Sequence, residues 1–183
     1  MIASDRLVLR VPEPADLAWQ IAELNSPAIM RHLGGPRTAG VVNENFAINR
    51  SALIRGDLGF WTVTLRETGE PIGKCGLSPI DSPAAPVEIL GSAQIGWTLA
   101  EPFWGRGYAS EAARAVMAHG FAALGLPVIW SQTSDSNDAS TRMMGRLGFE
   151  RFAALDYADP DYPPADNPTT VYRIARGAEA LGA

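Results

Sequence analysis

Cysteine is almost absent. The single thiol, Cys75, has no partner for an intramolecular disulfide, so no covalent staple is expected, and a reducing cytoplasm suits the chain. Histidine is scarce too. His32 and His119 lie far apart and, with one cysteine, provide no metal-ligand spacing, so no metal is expected. Basic residues are outnumbered: the net charge is -5, which argues against a nucleic-acid partner. An anion can still be held locally by backbone dipoles. Long hydrophobic runs are missing as well. The stretch Ala109–Ile129 is interrupted by Glu111, Arg114, His119 and Pro127, so no membrane span is expected. The opening MIASDRLVLR lacks the apolar core of a signal peptide.

What is present suits a globular chain. Of its 183 residues 46% are apolar and 19% charged, enough for a sizeable core without staples. Neither an internal repeat nor an interdomain linker is visible, and one domain over 1–183 is expected.

Periodicity divides the chain into elements. Residues 6–11 alternate as a strand, and Pro12 and Pro14 end it. Residues 16–24 read as a helix with Leu17, Ile21 and Leu24 on one face, stopped by Asn25-Ser26-Pro27. Residues 32–40 read as a loop. A second helix over 43–55 offers Phe46, Leu53 and Ile54 for burial, with Gly56 as its C-cap. Strands at 59–65 and 71–77 flank a turn at 67–70 and form a hairpin. Further strands are expected at 92–99, 128–133, 150–157 and 169–176. Helices are expected at 110–124 and 136–147, with Gly148 capping the latter. The order β-α-α-β-β-β-α-β-α-β-β implies an α+β domain with a mixed, mostly antiparallel sheet. Trp61, Trp97 and Trp130 fall in strands and Cys75 reads as buried filler.

Between the strand 92–99 and the next helix lies Trp104-Gly105-Arg106-Gly107-Tyr108-Ala109. Glycines there allow positive φ and close backbone approach. The first turn of the helix leaves N–H groups without partners, and its dipole attracts an anion. The loop therefore reads as either a bare strand-to-helix turn or a pyrophosphate cradle, to which Arg106 adds a charge. A dinucleotide fingerprint fails on context. Its third small residue is replaced by Ser110, antiparallel strands precede it, and no acidic residue ends the following strand near the ribose position. A Walker loop fails for want of Gly-Lys-Ser/Thr.

The match widens beyond the loop. Ile95-Gly96-Trp97-Thr98-Leu99, followed by Phe103 to Ala112, resembles the acyl-coenzyme A motif of the GNAT acyltransferase superfamily, and Asn137-Asp138-Ala139-Ser140 with Leu147-Gly148-Phe149 resembles its second cofactor motif. Asp5 to Arg10 and Pro71 to Leu77 look like the branch that acetylates ribosomal-protein N-termini, the RimJ/RimL type. Two positions depart from the family pattern: Pro102 stands where Gln or Arg is usual, and Gln94 where relatives often carry Glu.

The resemblance implies a central mixed sheet flanked by helices, with a β-loop-α cradle for acetyl-CoA. It implies transfer of acetyl to a primary amine, a protein N-terminus or a small molecule, by direct attack in a ternary complex. Ile95, Trp97, Thr98 and Leu99 would pair with the pantetheine arm and offer an N–H to the thioester oxygen. Trp104, Gly105, Arg106, Gly107, Tyr108, Ala109 and Ser110 would hold the pyrophosphate. Asn137 would bond the pantetheine amide region, and Ser140 would pass a proton to the thiolate or, on the plainer reading, bond its own backbone. The base stays open among Glu88, Glu101, Asp135 and His32. His119 reads as helix surface or packing. The Asp156–Tyr162 segment reads as a solvated acidic loop or as a lip for a cationic amine. Because Gln94 cannot serve as a base, a catalytically inactive CoA-binding sensor is the competing reading. The oligomeric state is open, a homodimer being one option.

Overall fold

A computed structural model describes residues 1–177. The chain divides into two compact units. One comprises Met1–Ser78 and Gly96–Val116, the other Pro79–Ile95 and the described part of Met117–Ala183.

In the first unit, β1 (Ile2–Ala3), β2 (Leu7–Arg10), β3 (Phe60–Leu65) and β4 (Pro71–Pro79) pair antiparallel in chain order, Leu9 facing Val63 and Val63 facing Gly73. Leu7, Leu9, Val63 and Ile72 are fully buried, as the alternation requires. The hairpin at 67–70 forms where the sequence places it, with Gly69 at positive φ. Helix α1 (Asp16–Glu23) ends as expected, but its buried face differs. Asp16, Gln20 and Leu24 are buried, whereas Leu17 and Ile21 are only half-buried. The cause is a polar network: Arg10 grips Asp16 with two hydrogen bonds, of 2.6 and 2.8 Å, and Thr62 Oγ1 donates to the same carboxylate at 3.0 Å.

Pro27 does not simply stop α1. It opens a short helix, α2 (Pro27–Met30), with Ser26 as N-cap accepting from the Ile29 N–H, a position where proline's missing N–H costs nothing. Helix α3 (Ala39–Arg55) begins four residues earlier than the pattern suggests, because the Thr38 hydroxyl caps it. Gly56 ends it in the left-handed conformation, as expected. Phe46 and Leu53 are buried but Ile54 is 60% exposed, so the expected burial of Ile54 is wrong. Asn49 ties α3 to β3, exchanging side-chain hydrogen bonds with the backbone of Phe60 at 2.6 and 2.8 Å.

Strand β5 (Ala93–Leu99) passes from the second unit into the first and leads through a 3-10 turn (Glu101–Phe103) to α4 (Tyr108–Ala122). In the second unit, β6 (Val128–Ser134) is parallel to β5 at Gln94–Trp130 and antiparallel to β8 (Thr169–Ala175) along its full length. Helix α5 (Asp138–Arg146) lies between β6 and β7 (Glu150–Arg151) in the chain. The strand order is β1-β2-β3-β4-β5-β6-β8-β7, the mixed, mostly antiparallel sheet expected. The strand expected at 150–157 is a two-residue piece. Phe152 breaks it, a 3-10 turn follows, and only Tyr157 bridges back to Thr169. Ile80, Ala85, Ile89 and Val171 form a core here, with Trp130 and Phe152 against it. Among the described residues no helix is long and apolar enough to cross a membrane.

Candidate active site

The glycine loop adopts the conformation its sequence calls for. Gly105 has φ 73° and Gly107 φ 79°, values that only glycine adopts cheaply. Helix α4 starts at Tyr108, two residues before the expected Ser110, and the Gly107 carbonyl accepts from the Glu111 N–H at 3.1 Å. Among the described residues, the backbone N–H groups from Gly105 to Ser110 find no acceptor. Trp104 to Gly107 are exposed and Tyr108 to Ser110 half-buried. A run of unpaired amides at a helix start, opening to the surface, is a favourable place for an anion.

The loop is held from the chain's own beginning. Glu111, in the first turn of α4, accepts from Ser4 Oγ at 2.7 Å, from the Arg6 N–H at 2.8 Å and from Arg6 Nε at 2.7 Å. Arg6 also donates to the Arg106 carbonyl at 3.1 Å and lies 4.5 Å from the Tyr108 ring centre. Burial alone would raise the Glu111 pKa, but these hydrogen bonds and the Arg6 charge outweigh it and hold the carboxyl below the usual range. Arg106 lies over the Phe103 ring at 6.0 Å. Sequence reasoning missed Ser4 and Arg6 because nothing local links them to residues a hundred positions away. The only local cue was the acidic residue in the first turn of the helix.

On β5, Ile95, Thr98 and Leu99 are buried and Trp97 half-buried. The Ala100 N–H donates to the Ile72 carbonyl, and the half-exposed Trp104 indole donates to the Leu99 carbonyl at 2.7 Å. Trp104 thereby links the end of β5 to the loop. Gln94 uses its amide on the Pro79 carbonyl, at 3.3 Å.

Asn137 and Ser140 lie in the second unit, at the start of α5. The expected helix start at Ser136 is corrected by two residues, because Asn137 is the N-cap. Its Oδ1 accepts from the Ser140 N–H at 3.2 Å. That leaves Asn137 Nδ2 and the Ser140 hydroxyl without partners among the described residues. Ser140 therefore does not bond its own helix backbone through its hydroxyl. Met143, Met144 and Leu147 of α5 and its C-cap are buried.

The candidate bases fare unevenly. Glu88 is exposed. Glu101 accepts from Ser26 Oγ at 2.9 Å, and Asp135 pairs with Arg151 at 2.8 Å. His32 is half-buried. Desolvation lowers the His119 pKa, in keeping with a packing position on α4. Cys75 is fully buried and its thiol pushed up by desolvation, far from a nucleophile's range. The acidic loop is partly solvated, with Asp161 exposed, but not all of its carboxylates are free. Asp159 and Asp166 are buried, accepting from Ser82 and from Ser134 and Ser136 respectively, and Asp156 pairs with Arg151. Its carboxylates organise the loop.

The chain matches the acetyltransferase (GNAT) domain family over residues 6–150. It is 32% identical to the N-acetyltransferase p20 of Bacillus licheniformis over 84% of this chain and 85% of that protein. The crystal structure of an acetyltransferase from Agrobacterium tumefaciens str. C58 is similar at 30% identity and TM-score 0.76, covering 96% of this chain and 94% of that one. Two more distant structures share the fold. The aminoglycoside acetyltransferase AAC(6')-Ib in complex with coenzyme A has 22% identity and TM-score 0.73, over 96% of this chain and 98% of that one. The ribosomal L7/L12 alpha-N-protein acetyltransferase RimL has 20% identity and TM-score 0.73, over 94% and 91%. The chain belongs to the GNAT acetyltransferase family and is an acetyl-CoA-dependent acetyltransferase whose acceptor is an amine.

Proposed function

We propose that residues 1–183 form one acyl-CoA N-acyltransferase domain that acetylates a primary amine by direct attack within a ternary complex. The observation that carries this is the run of unpaired amides from Gly105 to Ser110, fixed in place by the Arg6–Glu111 contact. Such a run suits a pyrophosphate, whose charge the helix dipole favours. Trp104 to Ser110 then hold the pyrophosphate, with Arg106 as a flanking cation. Ile95, Trp97, Thr98 and Leu99 pair with the pantetheine arm and give the thioester oxygen an N–H, which stabilises the charge that develops on attack. Asn137 donates its spare Nδ2 to a pantetheine amide. Ser140 passes a proton to the departing thiolate, for which its unpartnered hydroxyl suits it. The last two roles rest on the sequence motif and on those two spare groups.

The amine attacks the thioester carbon as the neutral form, and no covalent enzyme intermediate forms. The RimJ/RimL-like segments at 5–10 and 71–77 favour a protein N-terminus over a small molecule. The acidic net charge disfavours nucleic acid, and a homodimer is compatible with this reading. Gln94, with its amide spent on Pro79, favours one competing reading, a CoA-binding module without turnover.

Thiol release from acetyl-CoA is measured across a short peptide with a free N-terminus, an amino acid, a polyamine and an aminoglycoside. Release with one of them is expected. CoA-induced thermal stabilisation without release from any would favour the inactive module. Ser140→Ala is expected to lower kcat, and an unchanged kcat would remove Ser140 from the mechanism.

A further inference from the structure

Glu101 and Asp135 are engaged by Ser26 and Arg151 and Glu88 is exposed, but one titratable side chain on β4 stands apart. Lys74 pairs with Thr62 across the β3–β4 ladder. The Ala100–Ile72 hydrogen bond sets the β5 register so that Lys74 falls opposite Thr98. Its Nζ lies 5.8 Å from the Phe60 ring centre. The same ring covers Gly96, where a Cβ would come within 3.1 Å of it. Lys74, Phe60 and Gly96 thus gather on one side of the strand that carries the proposed thioester contacts.

Two features make this amine unusual. It has no carboxylate or hydrogen-bond partner among the described residues, only the Phe60 ring. Its surroundings desolvate it, which lowers its pKa, while the residue stays partly exposed. The carboxylate linked to its ladder partner Thr62 is already engaged. Asp16, which accepts from Thr62, is gripped by Arg10, and Arg50 on α3 donates to the Pro12 carbonyl. A desolvated lysine without a counter-ion is costly in its charged form.

We propose that the Lys74 amine is the base that deprotonates the acceptor ammonium, directly or through one water; this rests on the acetyl-transfer reading above. The acceptor ammonium gives a proton to Lys74, which becomes an ammonium. The freed lone pair attacks the thioester carbonyl carbon and the C–N bond forms. The C–S bond then breaks, the thiolate leaving with the electron pair. The nitrogen's second surplus proton ends on the sulfur, and Lys74 returns its proton to solvent.

The test is kcat/KM for the best amine of the panel against pH, at saturating acetyl-CoA, for the wild type, Lys74→Met and Lys74→Arg. Loss of a general base predicts a fall of about 10²–10⁴-fold in kcat. In both variants the acidic limb of the profile should move up to the acceptor amine's own titration, with KM for acetyl-CoA unchanged. Arginine should not rescue, because a guanidinium does not deprotonate. Lys74→Met should be at least as thermally stable as the wild type, which separates a chemical role from a structural one. If either variant keeps the wild-type kcat and acidic limb, the inference is overturned while acetyl transfer stands. A wild-type chain that binds CoA but releases no thiol with any amine overturns both.

Discussion

Arg6 and Glu111 stand 105 positions apart in the chain, yet their side chains close to 2.7 Å, and the contact pins the segment before β2 to the first turn of α4. Glu111 is mostly buried and accepts three hydrogen bonds there. Glu111→Gln weakens them and leaves Arg6 without a counter-charge, and a loss of about 1–3 kcal/mol is expected. Urea unfolding measures it. The expected companion effect is a raised KM for acetyl-CoA with little change in kcat, since the loop amides lose their anchor.

The same carboxyl makes stability depend on pH. Its folded pKa lies below its ordinary value. Its contribution is therefore fully present above the ordinary glutamate pKa and is lost as pH falls through the folded one. Acid unfolding of the wild type should be steeper in that window than that of Glu111→Gln. Matching acid transitions would refute the linkage.

At Gly107 the φ of 79° disfavours any side chain, and a Cβ would meet Arg6 Nη2 at 3.5 Å. Gly107→Ala should cost about 1–2 kcal/mol of stability, from left-handed strain. Gly105→Ala carries a similar strain but meets nothing within 4 Å. If the cradle holds a pyrophosphate, the methyl group of Gly105→Ala should weaken coenzyme A binding by more than its effect on unfolding implies. Calorimetric titration with coenzyme A beside a melting curve separates the two.

Asn137 allows a cleaner separation of folding from binding. Asn137→Ala removes the cap and should cost about 1 kcal/mol. Asn137→Asp keeps an oxygen for the Ser140 N–H and lacks Nδ2. Unchanged melting with a raised KM for acetyl-CoA is expected of the Asp variant. A normal KM would show that Nδ2 has no ligand.

Asp16→Asn leaves Arg10 only the exposed Glu13, at 3.9 Å, as counter-charge, the Asp16 side chain being 5% exposed. A loss of about 3 kcal/mol is expected, as for one partner removed from a buried pair. Chemical denaturation measures it, and a loss below that of a surface ion pair would show that the network is dispensable.

Local order was largely readable from residue pattern. The β3–β4 hairpin, the Gly56 cap, the glycine loop and the β5-loop-α4 connection follow from alternation, turn chemistry and positive φ, all of which act over a few residues. The cofactor class was legible only through the resemblance of the β5-loop-α4 and Asn137–Ser140 motifs to a known family, since glycines and a helix start alone suit any anion. The errors fell where distant groups intervene. Helix α1 buries Asp16 rather than Leu17 because Arg10 and Thr62 supply partners. The strand after α5 stops at Arg151. The acidic loop is knit by its own carboxylates.

Sequence alone determined the α+β class and the positive-φ glycine turn between β5 and α4, because short-range sterics and hydrogen bonding specify them, and its paired motifs pointed to the family. Tertiary structure decided what holds that loop, Arg6 on Glu111, and which amine lies desolvated beside β5, Lys74. Burial and long-range pairing set a charge's environment, and neither is written in the residues next to it.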